Sequence, residues 1–231
     1  MHKTPFFAIL SAVCAVALVQ VSVANAQQVK QVKQVQIDSN SAVYDFFTSE
    51  AVKSSFRDEG LVKAAILNTD QTNRACSAAD VAGKPLDKKT AAAIEQINLK
   101  TIQWPANGKF LGDWKEGEKV AQSGRGLTFT DGAKTVNGGN CYNCHQIDKK
   151  EISFGTIGPS LYNYGKIRGV TDPASPAAKP IVEYTWGKIW NSKAYNACSN
   201  MPRAGHTGIL NASQIADIMA LLLDPKSPVN Q

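Results

Sequence analysis

Cys141-Tyr142-Asn143-Cys144-His145 is the stretch from which the rest of this 231-residue chain can be read. It has the form C-x-x-C-H, the attachment signature of a c-type haem. Each residue type has a physical task. Two cysteines three positions apart, on the first turn of a helix, reach the two vinyl groups on one side of a porphyrin and form thioethers with them. The histidine that follows aims its ring at the iron from the proximal face. A redox dithiol has no need of that histidine, and no βαβ pattern surrounds the motif. A zinc site needs a second Cys or His pair, and Cys76, Cys198 and His206 supply none at ligand spacing. The motif predicts one covalently attached haem c, held by Cys141, Cys144 and His145.

The iron needs a sixth ligand from elsewhere. Met201 stands in Asn200-Met201-Pro202, a loop of extended character ahead of the last helix, and is the leading candidate. His206 is the rival, and Cys198 as a thiolate comes third. Met219 lies on the apolar face of the last helix, where core packing explains it. A thioether is uncharged and favours iron(II), so it raises the potential and suits an electron acceptor. A proximal histidine needs a carbonyl for its other ring proton. Gly158-Pro159 follows at a suitable distance, and the Pro159 carbonyl has no N–H beside it. Trp186, Tyr164, Lys166 and Arg168 are candidates for the haem propionates, Trp186 first among them.

Outward from the motif, composition bounds the rest. Apolar residues are 43% and charged residues 19%, with 17 Gly and 10 Pro, as in a globular protein. The excess of 25 basic over 19 acidic residues is diffuse, without the basic block that tracks a nucleic-acid backbone. Residues 6–19, FFAILSAVCAVALV, are almost wholly apolar behind Lys3, and Ala24-Asn25-Ala26 offers a cleavage site. The run is too short to span a bilayer, and Val13 is too bulky to precede a lipidated Cys14. Residues 1–26 are therefore expected to be a signal peptide. The mature chain keeps four cysteines, two histidines and two methionines, with no later span across a membrane. Cys76 and Cys198 are left over after haem attachment. In an oxidising compartment they read as a disulfide tying the N-terminal segment to the loop before Met201, against two buried, unpaired thiols. Spacing does not decide between these.

The organisation reads as mainly α. Residues 27–36 repeat a Val-Lys-Gln unit (29–31 and 32–34), expected as a mobile arm rather than an edge strand. Residues 48–67 are helix-like but interrupted by Gly60. A firmer helix runs from Asp87 to Thr101, with Ile94 and Ile97 on one face. Trp104 to Gly108 breaks the pattern and reads as a boundary, dividing an extension (27–105) from a second domain (106–231). Asp113 to Glu116 fits a capping box. Gly117, Val120 and Ala121 then offer a face on which another helix can cross closely. Asn211 and Gln214 repeat the cap and open an apolar helix, Ile215, Ile218, Met219 and Leu222, that stops at Asp224-Pro225.

With these residues placed, Asp113 to the end resembles a class I cytochrome c: entry helix, C-x-x-C-H, Gly158-Pro159-x-Leu161, methionine loop and terminal helix. More narrowly it is similar to the SoxX subunits of SoxAX complexes. The resemblance rests on Gly155 to Leu161, Asn200-Met201-Pro202-Arg203, and above all the tail from Ala220 to Asn230. Ala204 departs from it, standing where some relatives carry an aromatic residue. The resemblance implies a fold of the class I type with a largely helical N-terminal extension, in the periplasm. It also implies an electron-transfer subunit paired with a SoxA-type cytochrome, which carries the sulfur chemistry. Such complexes couple thiosulfate oxidatively to a cysteine of the SoxYZ carrier, and the electrons pass to a downstream cytochrome c. A free-standing periplasmic carrier, and a haem-based sensor or peroxidase, are the alternatives.

Overall fold

The structure, a computed structural model, describes residues 39–60 and 62–231, with side chains from residue 46 onward. The expected signal peptide and the Val-Lys-Gln repeat lie outside the described residues. The chain divides into two compact units, 1–52 and 53–231. Helix α1 (Ser39–Ser55) accounts for the described part of the first; in it Phe46 and Phe47 meet edge to face, both exposed.

In the second unit the helical pattern expected through residue 67 stops earlier. Glu59 and Val62 exchange backbone hydrogen bonds of 3.0 Å around Gly60, whose φ is +56°. A short 3₁₀ turn (Ala64–Leu67) follows. Two helices come next, each capped by an aspartate that accepts a backbone N–H three residues on. In α2 (Gln71–Val81) Asp70 caps Asn73, and in α3 (Lys88–Leu99) Asp87 caps Thr90. Sequence periodicity missed α2, because QTNRACSAADV has too few apolar residues to show a stripe. The buried face of α3 also differs from expectation. Ile97 is 66% exposed, and Asn98 is buried instead, four residues from Ile94. Asn98 donates to the Ile94 carbonyl and accepts from Asn191 at 2.9 Å, so a polar pair rather than Ile97 sits at the contact.

The core is built around the crossing of α4 (Trp114–Gln122) and α7 (Ala212–Leu223). A Cβ on Gly117 would lie 2.1 Å from the Asp217 carbonyl oxygen, so only glycine permits this approach. Asp113 caps α4 through the Lys115 N–H, but no capping box forms there. The Asp113 N–H is taken by the Asp217 carboxylate at 2.8 Å, and Glu116 turns instead to Lys119. In α7 the expected box is present between Asn211 and Gln214, and Ile215, Ile218, Met219 and Leu222 are all buried. Met219 is fully buried.

Two further helices complete the frame: the short α5 (Tyr164–Ile167) and, after it, α6 (Lys179–Trp190). The tail folds back as a 3₁₀ turn (Pro228–Asn230). Asn230 accepts the Gly165 and Lys166 N–H groups and donates to the Leu222 and Asp224 carbonyls. Ser227 donates to the Leu221 carbonyl at 2.6 Å, and Val229 is fully buried. The conspicuous tail sequence is thus a clasp between α7 and α5. Among the described residues no strand is present, only the isolated Glu59–Val62 bridge, and no helix is long and apolar enough to cross a membrane. Among the described residues the architecture is mainly helical, as the sequence led one to expect.

Candidate functional site

The cysteine motif is hung from the end of α4. The N–H groups of Gly139 and Asn140 donate to the carbonyls of Val120 and Ser123 at 2.8 and 2.9 Å. Asn140 then adopts a left-handed conformation (φ 50°), and a single 3₁₀ turn carries Cys141–Asn143. The Cys141 carbonyl accepts from both Cys144 and His145 N–H, which gathers the three residues onto one turn. Tyr142, between the cysteines, points inward. It is buried, its hydroxyl donates to Glu118 of α4 at 3.0 Å and accepts the Asp148 N–H at 3.0 Å. Burial, with Glu118 beside it, pushes this phenol well above its ordinary range, so it stays a donor. Sequence reasoning passed over Tyr142, since nothing in the motif marks the variable positions.

His145 is held from the opposite side. Its Nδ1 lies 2.7 Å from the Pro159 carbonyl oxygen. The segment carrying that carbonyl is laced to the motif by Gly155 N–H to Tyr142, Gly158 N–H to Cys144 and Leu161 N–H to Gln146, at 2.7–2.8 Å. Gly158 touches the ring so closely that a Cβ there would stand 2.2 Å from His145 Cε1. With Nδ1 engaged as a donor, Nε2 is the nitrogen left for a metal.

Met201 is anchored through its backbone. Its carbonyl accepts from the buried Ser192 hydroxyl at 2.6 Å, and its N–H donates to Ser199 Oγ at 3.3 Å. Met201 and Cys141 both pack against the same buried core. Cys198 is bonded to Cys76, with the two Cα atoms 5.5 Å apart, and so drops out as a thiolate ligand. His206 is exposed, and burial of part of its ring together with Arg203 holds its imidazole below the ordinary range. Ala204 is buried, and its carbonyl accepts the Leu210 N–H.

Three of the expected propionate partners, Trp186, Tyr164 and Arg168, are engaged elsewhere. Trp186 is fully buried, stacked on Trp190 and edge-on to Phe110, and its Nε1–H donates to the Gln103 carbonyl at 2.9 Å. That N–H cannot also serve a carboxylate, so the cofactor-facing role read for Trp186 is corrected: it is a core residue. The Tyr164 hydroxyl donates to Thr185 Oγ1, which itself donates to the Ile181 carbonyl. Arg168 lies over the Tyr164 ring at 3.7 Å. Lys166 is exposed.

The donor set fits a haem attached through sulfur. Cys141 and Cys144 are free thiols, in a chain whose other described cysteines are paired. Burial pushes the Cys141 thiol up to about 12, so the sulfur sits in apolar surroundings. Among the described residues no group of three Cys, His, Asp or Glu side chains is arranged to hold a bare metal ion.

Two comparisons bear on this geometry. Residues 129–225 match the family described as cytochrome c. A protein of Aquifex aeolicus (strain VF5) named "Uncharacterized lipoprotein" is 36% identical over 171 residues, covering 73% of this chain and 76% of its own length. An alignment of that length runs beyond the segment 129–225, so the likeness takes in part of the flanking sequence as well.

Proposed function

As the chain belongs to the cytochrome c family and carries covalently attached haem c, we propose that it is the monohaem, electron-accepting subunit of a SoxAX-type complex. The single observation that carries the electron-transfer reading is the placement of Cys141, Cys144 and His145 on one turn, with His145 Nδ1 fixed on Pro159. When bound, the haem supplies one-electron chemistry at iron.

The protein's residues do the remaining work. Cys141 and Cys144 hold the porphyrin edge, and His145 offers Nε2 from the proximal side. The Pro159 carbonyl fixes the tautomer and orientation of that ring, which also makes it a stronger donor. Met201 would supply a thioether to the iron, and a neutral sulfur would favour the reduced state. The His145 ring is anchored through Nδ1 and Met201 through its backbone, restraints of the kind that keep ligands in place during electron transfer. No residue of this chain is assigned to sulfur chemistry. The two electrons released when thiosulfate joins the SoxYZ cysteine come by way of a SoxA-type partner and leave to a downstream cytochrome c.

Residues 1–26 direct export, the mature chain works in the periplasm, 27–105 is an extension and 106–231 the cytochrome domain. The finer assignment is supported by the tail: its clasp on α5 gives Ser227, Val229 and Asn230 defined structural tasks.

The test uses mature holoprotein and its Met201→Ala variant. The parent is expected to show the far-red band of a thioether bound to ferric iron, and the variant to lose it. An unchanged spectrum would transfer the ligand role to His206. Stable co-purification with a SoxA-type chain is expected; its absence would favour a free-standing carrier. Ready binding of carbon monoxide by the reduced parent would favour a sensor or peroxidase.

A further inference from the structure

The methionine loop is held from outside the cytochrome domain. Cys198, three residues before Met201, is bonded to Cys76. Arg203, two residues after Met201, reaches the Asp70 carboxylate at 2.6 Å. Cys76 lies in α2 and Asp70 is its N-cap, so one helix grips the loop on both sides of the methionine. Around this grip sit further long-range contacts. Lys193, which is buried, bonds Asn73 of α2. Glu95 of α3 accepts the Ala197 N–H at 3.2 Å, and Asn191 Nδ2 bonds both Asn98 and Thr101. The disulfide spans 122 residues of sequence and the ion pair 133. Neither is needed to close the C-x-x-C-H turn, which is held by bonds within residues 118–161.

We infer that α2 is a splint for the distal ligand: Cys76 and Asp70 are positioning residues that keep the Met201 thioether on the iron. This rests on Met201 being that ligand. The physical basis is entropic and geometric. An irregular loop explores many conformations, and a ligand on such a loop is detached for a fraction of the time set by the loop's local opening. Fixing the chain at two points five residues apart removes most of those conformations without touching the sulfur. Arg203 adds a charge-assisted bond with most of the guanidinium out of solvent, its side chain 18% exposed. The extension, which a minimal electron carrier has no need of, thereby acquires a function in the redox centre itself.

The experiment uses the mature holoprotein, the double variant Cys76→Ser with Cys198→Ser, the single variant Asp70→Asn, and Asp70→Glu as the conservative replacement. Three readouts are recorded: the far-red thioether band along a denaturant titration, carbon monoxide uptake by the reduced protein, and helix content by circular dichroism. The double variant is expected to lose the band at lower denaturant than it loses helix, and to bind carbon monoxide about tenfold faster, as the detached population rises. Asp70→Asn should move the same way by less, and Asp70→Glu should restore most of the parent behaviour. The splint is refuted if the folded double variant keeps the parent's band and carbon monoxide uptake. It is equally refuted if band and helix content are lost together in every variant, since a merely structural role moves both. Should the double variant not fold, the Asp70 pair decides alone, with the bridge intact. A parent that lacks the band, or whose band survives Met201→Ala, overturns instead the ligand assignment beneath the proposal.

Discussion

Replacing Gly158 by alanine tests the proximal geometry directly. The added Cβ would stand 2.2 Å from His145 Cε1, 2.5 Å from Nδ1 and 2.7 Å from Nε2, where ordinary contact begins at 3.4 Å. The imidazole and the backbone must therefore separate by about 1.2 Å. The backbone has little room, because Gly158 N–H is bonded to Cys144 and the next carbonyl holds Nδ1 at 2.7 Å. If the ring moves, that hydrogen bond goes, at about 1 kcal/mol, and the crowding adds about 1–3 kcal/mol. A loss of about 3 kcal/mol in a chain of this size lowers Tm by about 6–12 °C. Thermal unfolding of holoprotein, followed at the haem absorbance and by circular dichroism, measures this. A perturbed ligand spectrum should accompany it, because the displaced group is the proposed iron ligand. A Gly158→Ala protein with the parent's Tm and spectrum would show that His145 does not sit where its ring meets residue 158.

Opening the Cys76–Cys198 bridge, by the double serine variant or by reduction, should lower global stability by about 5 kcal/mol for a loop of 122 residues, read from the denaturant midpoint. Asn230→Ala removes four hydrogen bonds at a buried site and leaves the Gly165 and Lys166 N–H groups without that acceptor. It should cost about 3 kcal/mol in the same assay, with the spectrum retained. Burial works against ionised Asp70, yet the Asn73 N–H and the Arg203 guanidinium outweigh it and hold the carboxyl below its ordinary value of 3.8. A folded-state value below the unfolded one means stability that is present above pH 3.8 and lost as pH falls through the folded value. Asp70→Asn should therefore flatten the acid limb of a stability–pH curve, and an unaltered limb would refute that linkage.

What could be read from the chain follows from how local each signal is. The C-x-x-C-H turn, the Asn211 cap and the α7 stripe are patterns over a few residues, and each is present in the fold. Pro159 was legible because a proximal ring needs an acceptor and proline's carbonyl lies within reach along the chain. The failures are of two kinds. Trp186 and the Glu116 half of the Asp113 capping box went astray because a distant group, the Gln103 carbonyl or the Asp217 carboxylate, competes for the same atoms. The buried face of α3 went astray because Ile97 and Asn98 are both helical neighbours of Ile94, and only the partner Asn191 selects between them. Helix α2 had no stripe to read. Its sequence is nearly featureless because its contacts are a disulfide, an ion pair and polar bonds rather than an apolar face.

These two classes of support divide the proposed redox centre unequally. On the His145 side the restraints that hold the motif itself are the nearer ones in sequence, α4 to the motif and the motif to Pro159; only the turn beyond, through the Asn163 N–H on the Val229 carbonyl, reaches the distant tail. On the Met201 side the restraints reach back across some 90–130 residues to α2, α3 and the Thr101 turn. Bonds between distant segments are the first to go when any one segment loosens, since the entropy of the intervening loop is then released. The distal side should therefore open before the proximal side. Native-state hydrogen exchange on the holoprotein checks this: the Ala197 and Met201 amides should exchange through a smaller opening than those of His145 and Gly158. The ordering is expected to widen when the Cys76–Cys198 bridge is removed. Equal opening energies on the two sides, before and after that removal, would mean that the extension adds nothing the cytochrome core does not already provide.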